Sequence, residues 1–298
     1  MKYIALFCLI SSSIYAQLPD SLISIKVYPG IENGAAINDI VVTKSNAKYL
    51  ATGAGLYKIV NKNSAPKILV EGSFQALATN RQEDVWAASD NSIYSLTEKL
   101  IDLNNDITTN NMIYHKGSLW IATDQGLYKV NVKTKRRTAL YTTSNSKLTS
   151  DIVYFVFVDQ QDQMWIGTDN GIVLINKRGK WKVYEKGHSM ESMTYNQEGL
   201  WLVSDKAMWV IDQFGRWYDA ALDKGLKEGK VRDITTDKDG RLILASNSLV
   251  RYNPYIDEIH SYTDDLGFIA KQTNAIEGDA NQNIWIGTQS DGLYLLSF

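Results

Sequence analysis

The sequence predicts an all-β fold, a seven-bladed β-propeller built from four-stranded blades, in which an N-terminal strand completes the last blade. Three observations predict it: a motif repeated seven times, an anchor spacing of 34 to 45 residues, and an unmatched strand at each end of the chain. Repeats of about 40 residues match one four-stranded blade and exceed what a two-stranded unit needs.

The copies are YLATGAGLY from Tyr49, WAASDNSIY from Trp86, WIATDQGLY from Trp120, WIGTDNGIV from Trp165, WLVSDKAMW from Trp201, ILASNSLV from Ile243 and WIGTQSDGLY from Trp285. Two columns hold in every copy. The residue two after the anchor is small: Ala51, Ala88, Ala122, Gly167, Val203, Ala245, Gly287. The next carries a hydroxyl: Thr52, Ser89, Thr123, Thr168, Ser204, Ser246, Thr288. A small side chain admits a close neighbour, and a hydroxyl at a strand end can bond the turn that follows. Pairs such as Gly55-Leu56, Gly126-Leu127, Gly171-Ile172 and Gly292-Leu293 then place glycine where a hairpin needs positive φ. Each copy therefore reads as the second and third strands of a blade, apolar enough to be covered on both faces.

Upstream runs such as Ile37 to Val42, Val153 to Asp159 and Val231 to Thr236 supply innermost strands, and downstream runs such as Lys180 to Glu185 and Arg216 to Asp219 supply outermost ones. The seventh copy stops at Phe298 after its third strand, whereas Leu22 to Tyr28 reads as a strand without a blade. Pairing the two closes the ring and leaves no long open edge.

Residues 1–16 read as a secretory signal peptide, with Lys2, an apolar run from Tyr3 to Ile10 and Ser11 to Ala16 leading to a small-residue cleavage point; residues 17–298 are expected to form the propeller domain. The single cysteine, Cys8, lies in that signal, so the mature chain is expected to have no disulfide and no thiolate metal site. Removing Lys2 leaves 30 basic residues against 33 acidic ones, with no run of like charge, which disfavours a nucleic-acid surface. No apolar stretch approaches the roughly 20 residues of a membrane span, so no membrane insertion is expected. The implied location is periplasmic or secreted.

The WIGTDNG and WIATDQG turns resemble the two-component regulator propeller repeats of periplasmic sensor regions in hybrid histidine kinases, over essentially the whole mature chain. The third, fourth and seventh copies match best, the fourth with Asp159-Gln160-Gln161-Asp162 at the family's acidic hairpin. The resemblance implies a sensor domain that recognises carbohydrate breakdown products or another envelope signal. Nothing after the seventh copy resembles the immunoglobulin-like, kinase or receiver sequences of such sensors, so the expectation is a module that holds a ligand or docks to an envelope protein.

Counting back eleven positions from each anchor, or ten in the two copies with a shorter hairpin, gives Asn38, Gln75, Asn110, Tyr154, Glu191, Arg232 and Asn274. All can hydrogen-bond, between mostly apolar flanks, and they are expected to line the mouth of the central channel with Asp39, Asn111 and Asp233 nearby. Such a ring suits a neutral or weakly charged polyol, such as an oligosaccharide; the same groups could instead satisfy one another and channel water across the axis. Trp181, Trp209, Trp217 and Tyr218 stand outside the anchor column, available to stack on sugars or to bury area between blades.

His115, His188 and His260 fall on different blades in no metal-ligand spacing, and neither a metal nor any cofactor is expected. Asp237-Lys238-Asp239-Gly240 lacks the ligands of a calcium loop and reads as the hairpin turn before Ile243. No catalytic motif is present, so a binding module is expected before a protein-binding scaffold. A lyase or hydrolase, by analogy with seven-bladed streptogramin lyases, would use His188 as base with Glu191 or Arg232 assisting.

Overall fold

The computed structural model describes residues 24–31, 34–89, 91–103, 107–185, 187–205, 207–220, 230–262, 268 and 272–298. The expected signal segment, and Leu22 with Ile23 of the N-terminal strand, lie outside these residues. Among the described residues every regular element is a strand, and the strands form seven antiparallel four-stranded sheets. In chain order the sheets cover residues 37–71, 76–102, 109–141, 153–185, 190–219, 233–262 and 273–297, here blades 1 to 7. Each runs from an innermost to an outermost strand, and the innermost strands touch in a closed cycle in which blade 7 meets blade 1.

Blade 7 takes its outermost strand from the other end of the chain. Ser24–Tyr28 lies antiparallel to Leu293–Ser297, in register from Ser24 opposite Ser297 to Tyr28 opposite Leu293. The pairing covers what would otherwise be an open sheet edge. Tyr28 then rests edge-on against Trp285 at 4.9 Å.

The core is a set of layers between neighbouring blades. Trp120, Ala122 and Leu127 of blade 3, for example, pack with Val153, Ile166 and Val173 of blade 4. Second strands such as Lys48–Thr52 and Met164–Thr168 are buried along their length, covered on both faces by neighbouring blades. Each fully buried Leu or Ile contributes roughly 1.5–3 kcal/mol.

The hydroxyl column acts within its own turn. Thr52 Oγ1 donates to the Gly55 carbonyl at 2.8 Å, and Thr123, Thr168, Ser204, Ser246 and Thr288 repeat the bond to Gly126, Gly171, Ala207, Ser248 and Gly292. The turn glycines divide into two kinds. Gly126 and Gly171 have φ of +116° and +119°. Gly55 does not have positive φ, contrary to the expectation; a side chain there would strike Val70 O at 2.8 Å, so close approach to the outer strand is what requires it. In the small-residue column, Gly287 admits Ile37 of blade 1, whereas Gly167 makes room for Phe155 of its own blade.

A third column fixes the tryptophans. Asp159, Asn196 and Asp279 close the hairpin between innermost and second strands, and each also accepts the indole N–H of its anchor: Trp165 at 2.9 Å, Trp201 at 2.7 Å and Trp285 at 2.9 Å. Asp237 closes the same hairpin in blade 6, where the anchor is Ile243, by accepting from the backbone of Asp239 and Arg241.

Candidate functional site at the axial mouth

The innermost strands carry a local irregularity that aims the predicted residues. In five blades the pairing with the second strand skips one residue, and the skipped residues are Asn38, Asn110, Tyr154, Glu191 and Asn274. A bulge of this kind lifts one side chain out of the alternation that would bury it in a blade face. Gln75 and Arg232 precede their strands and keep the same backbone bond, to Ala88 O at 2.9 Å and Ala245 O at 2.8 Å.

Three of the seven serve the ring itself. Asn38 donates its side-chain amide to Phe74 O at 2.7 Å, Asn110 to Val153 O at 2.8 Å, and Asn274 to Ile37 O at 3.4 Å. Each acceptor is the residue just before the equivalent position of the next blade, so these amides tie blade 1 to 2, blade 3 to 4 and blade 7 to 1. Gln75 donates to Ser73 Oγ within its own loop. A second tier lies one residue on. Asp39 accepts from Leu77 N, Asn111 from Val156 N and Asp233 from Ile276 N, while Ser192 of blade 5 donates to Asp233.

Tyr154, Glu191 and Arg232, on blades 4, 5 and 6, make no such clamp among the described residues. Lys230, which the sequence pattern did not single out, gathers them. Its ammonium is 2.8 Å from the Glu191 carboxylate of blade 5 and 4.9 Å above the Tyr154 ring of blade 4. Ser189 Oγ donates to the other Glu191 oxygen at 2.6 Å. Arg232 donates to Asn247 Oδ1 at 3.2 Å, and burial pulls its guanidinium below its ordinary pKa, opposed by the charge of Glu191. This sector thus presents an ammonium, a guanidinium, a carboxylate and a phenol ring together.

Deeper acids lie on blades 6, 7 and 1. Burial raises Asp39 to about 7, with Asp233 adding repulsion and the Leu77 and Ile40 amides opposing it. Burial raises Asp233 to about 6 against the bonds from Ile276, Ser192 and Ile234. Glu277 rises to about 8 through burial and the repulsion of Asp233 and Asp39. Glu277 was not among the expected site residues; it stands three residues after Asn274, in a column otherwise made of Val41, Ala78, Ile113, Phe157, Thr194 and Thr235, where a carboxylate is the signal that sets it apart. Among the described residues no three His, Cys, Asp or Glu side chains come together as a metal site. His188, the base of the enzyme alternative, packs its ring on Trp209 at 5.6 Å.

No family model and no curated protein matches this chain. Solved structures do. The extracellular domain of the putative hybrid two-component system BT4673 from B. thetaiotaomicron superposes with a TM-score of 0.77 at 14% identity, covering 91% of this chain and 39% of that one. The extracellular domain of the putative hybrid two-component system BT3049 gives 0.77 at 17%, covering 91% and 41%. A catalytically inactive variant of virginiamycin B lyase from Staphylococcus aureus, with Quinupristin, gives 0.77 at 14%, covering 93% and 99%. At such identities the likeness shows the propeller fold, and the chain spans about two fifths of the two extracellular domains it matches.

Proposed function

We propose that this chain is a recognition propeller of the cell envelope, periplasmic or secreted, that holds a polar ligand of oligosaccharide type over blades 4 to 6 of the axial mouth. One observation carries the reading: the bulge positions of the other blades are largely tied into the ring, whereas Tyr154, Glu191 and Arg232 converge with Lys230 and clamp nothing. A phenol ring offers a flat face to sugar C–H groups, the cations donate to hydroxyls, and Glu191 accepts from them. The repeat motif and the extracellular sensor domains of the same fold support a sensing context, in which an envelope protein partner would read the bound state. No nucleic acid, cofactor or membrane insertion enters the proposal.

The test is calorimetry and thermal shift with a panel of neutral oligosaccharides on the wild type, Tyr154→Ala, Arg232→Ala and, as a clamp control, Asn110→Ala. A member of the panel should bind wild type and Asn110→Ala alike and lose about tenfold or more in Arg232→Ala, equivalent to about 1.4 kcal/mol. A panel that never binds, or binds all four proteins equally, removes the reading. The catalytic alternative rests on the near-complete coverage of virginiamycin B lyase. Turnover of a streptogramin B that His188→Ala abolishes would replace binding with catalysis; among the described residues, Glu191 is engaged by Lys230 and Ser189.

A further inference from the structure

The anchors Trp120 and Trp165 are 45 residues apart, the longest interval in the chain. The surplus lies in residues 142–152, between the outer strand of blade 3, Arg136–Tyr141, and the inner strand of blade 4, Val153–Val158. This connection is internally bonded. The Asn145 side chain accepts from Thr142 N at 2.9 Å and donates to Leu140 O at 3.0 Å. Ser146 Oγ donates to Thr142 O at 2.6 Å, and Thr143 N donates to Asp151 at 2.7 Å. Leu148 is buried in the layer between blades 3 and 4 and pins the middle of the segment.

Beneath it opens a cleft of about 370 Å³, lined by Tyr141, Asn145, Ser146, Lys147, Lys180 and Trp181. Tyr141 is stacked on Trp120 at 5.8 Å with rings 8° from parallel, which fixes its plane. Trp181, from the outer strand of blade 4, stands 5.2 Å from Tyr141 at 54°. The two rings therefore make a V-shaped wall, half-buried, between the exposed Lys147 and Lys180. Among the described residues neither ammonium has an ion-pair partner, and the Trp181 indole N–H has no acceptor.

We propose that this cleft is a second ligand site, separate from the axial mouth, and that it takes an acidic oligosaccharide bearing carboxylates on its rings. The aromatic wall receives the C–H face of a pyranose. The lysines pair with carboxylates on successive sugars, and the indole N–H donates to a hydroxyl. A planar base would need a parallel slot, which rings at 54° do not form. An acidic peptide offers the charge without a rigid apolar ring face.

The probe is tetragalacturonate, read by calorimetry and by quenching of tryptophan emission, with galactotetraose as the neutral match. Tetragalacturonate should saturate one site, weaken steeply between about 0.02 and about 0.5 M NaCl, and bind about tenfold or more tightly than galactotetraose. The double variant Lys147→Glu, Lys180→Glu changes exposed residues and should abolish binding with an unchanged melting temperature. Trp181→Ala should weaken binding about tenfold. Arg232→Ala should leave it intact, which separates this site from the axial one. The proposal is overturned if tetragalacturonate does not saturate, if galactotetraose binds equally, if the double lysine variant still binds, or if Arg232→Ala alone abolishes binding. Equal affinity for poly-glutamate overturns it in favour of peptide docking.

Discussion

The two sides of the axial mouth use the same sequence column for different ends. Asn38, Asn110 and Asn274 reach the backbone carbonyl that opens the next blade, and the last of them joins residues 237 positions apart. Tyr154, Glu191 and Arg232 stand at equivalent positions, yet their groups are too large or carry the wrong polarity to cap that carbonyl. An amide both fits the gap and donates; a carboxylate cannot donate. Where the column holds an asparagine the ring gains a clamp, and where it holds Tyr154, Glu191 or Arg232 no clamp forms among the described residues.

The largest expected effect lies at the junction that closes the ring. Lys48 of blade 1 and Asp279 of blade 7 pair at 3.0 Å, both essentially without solvent contact, and Asp279 also holds Trp285. Lys48→Ala leaves a buried carboxylate without its cation and should cost about 3–5 kcal/mol, measured by denaturant unfolding. In the pair of Lys230 and Glu191 the carboxylate is buried but the ammonium is half-exposed, so water can partly replace it, and Lys230→Ala should cost less than Lys48→Ala, about 1–3 kcal/mol. Equal costs at the two pairs would erase the distinction between a closing junction and an open sector.

A smaller effect sharpens the same contrast. Asn110→Ala should destabilise by about 1 kcal/mol, because Val153 O loses its donor. Arg232→Ala should change stability by less than about 0.5 kcal/mol, as surface substitutions usually do. The reverse order in a thermal melt would mean that the column is clamped where it looks free.

A further effect is spread over pH and belongs to no single residue. Asp39, Asp233 and Glu277 titrate in the fold at about 7, 6 and 8, above the value near 4 of an unfolded carboxyl. The folded state therefore binds more protons than the unfolded one, and stability falls as pH rises from about 4 towards about 8. Asp279 acts in the opposite sense. Burial raises its pKa, but the Trp285 indole and Lys48 together hold it below its ordinary value, so its contribution is lost in acid. Melting temperatures should decline from pH 5 to pH 8.5, and Glu277→Gln should flatten the decline; a rising profile would contradict the raised values.

Much of this architecture is written in short-range pattern. Thr52 and its equivalents bond turns two to four residues away, and the seven anchors count the blades directly. Ser24–Tyr28 was legible as the missing strand because the seventh copy lacked one. The ring positions were legible as a column, since a bulge sits at a fixed distance from the hairpin beside it.

Which members of that column clamp and which stay available depends on the neighbouring blade, about 40 residues away, and no local pattern records that distance. Lys230, Glu277 and the aromatic wall of Tyr141 and Trp181 share that origin: each becomes notable through groups on another blade. The sequence by itself determined the strands, the hairpins, the blade count and the closure, because these follow from alternation, turn chemistry and the rule that edges must be paired. Only the tertiary structure decided which polar groups meet, because hydrogen bonds and ion pairs act over about 3 Å, and the closed ring alone brings separate blades that near.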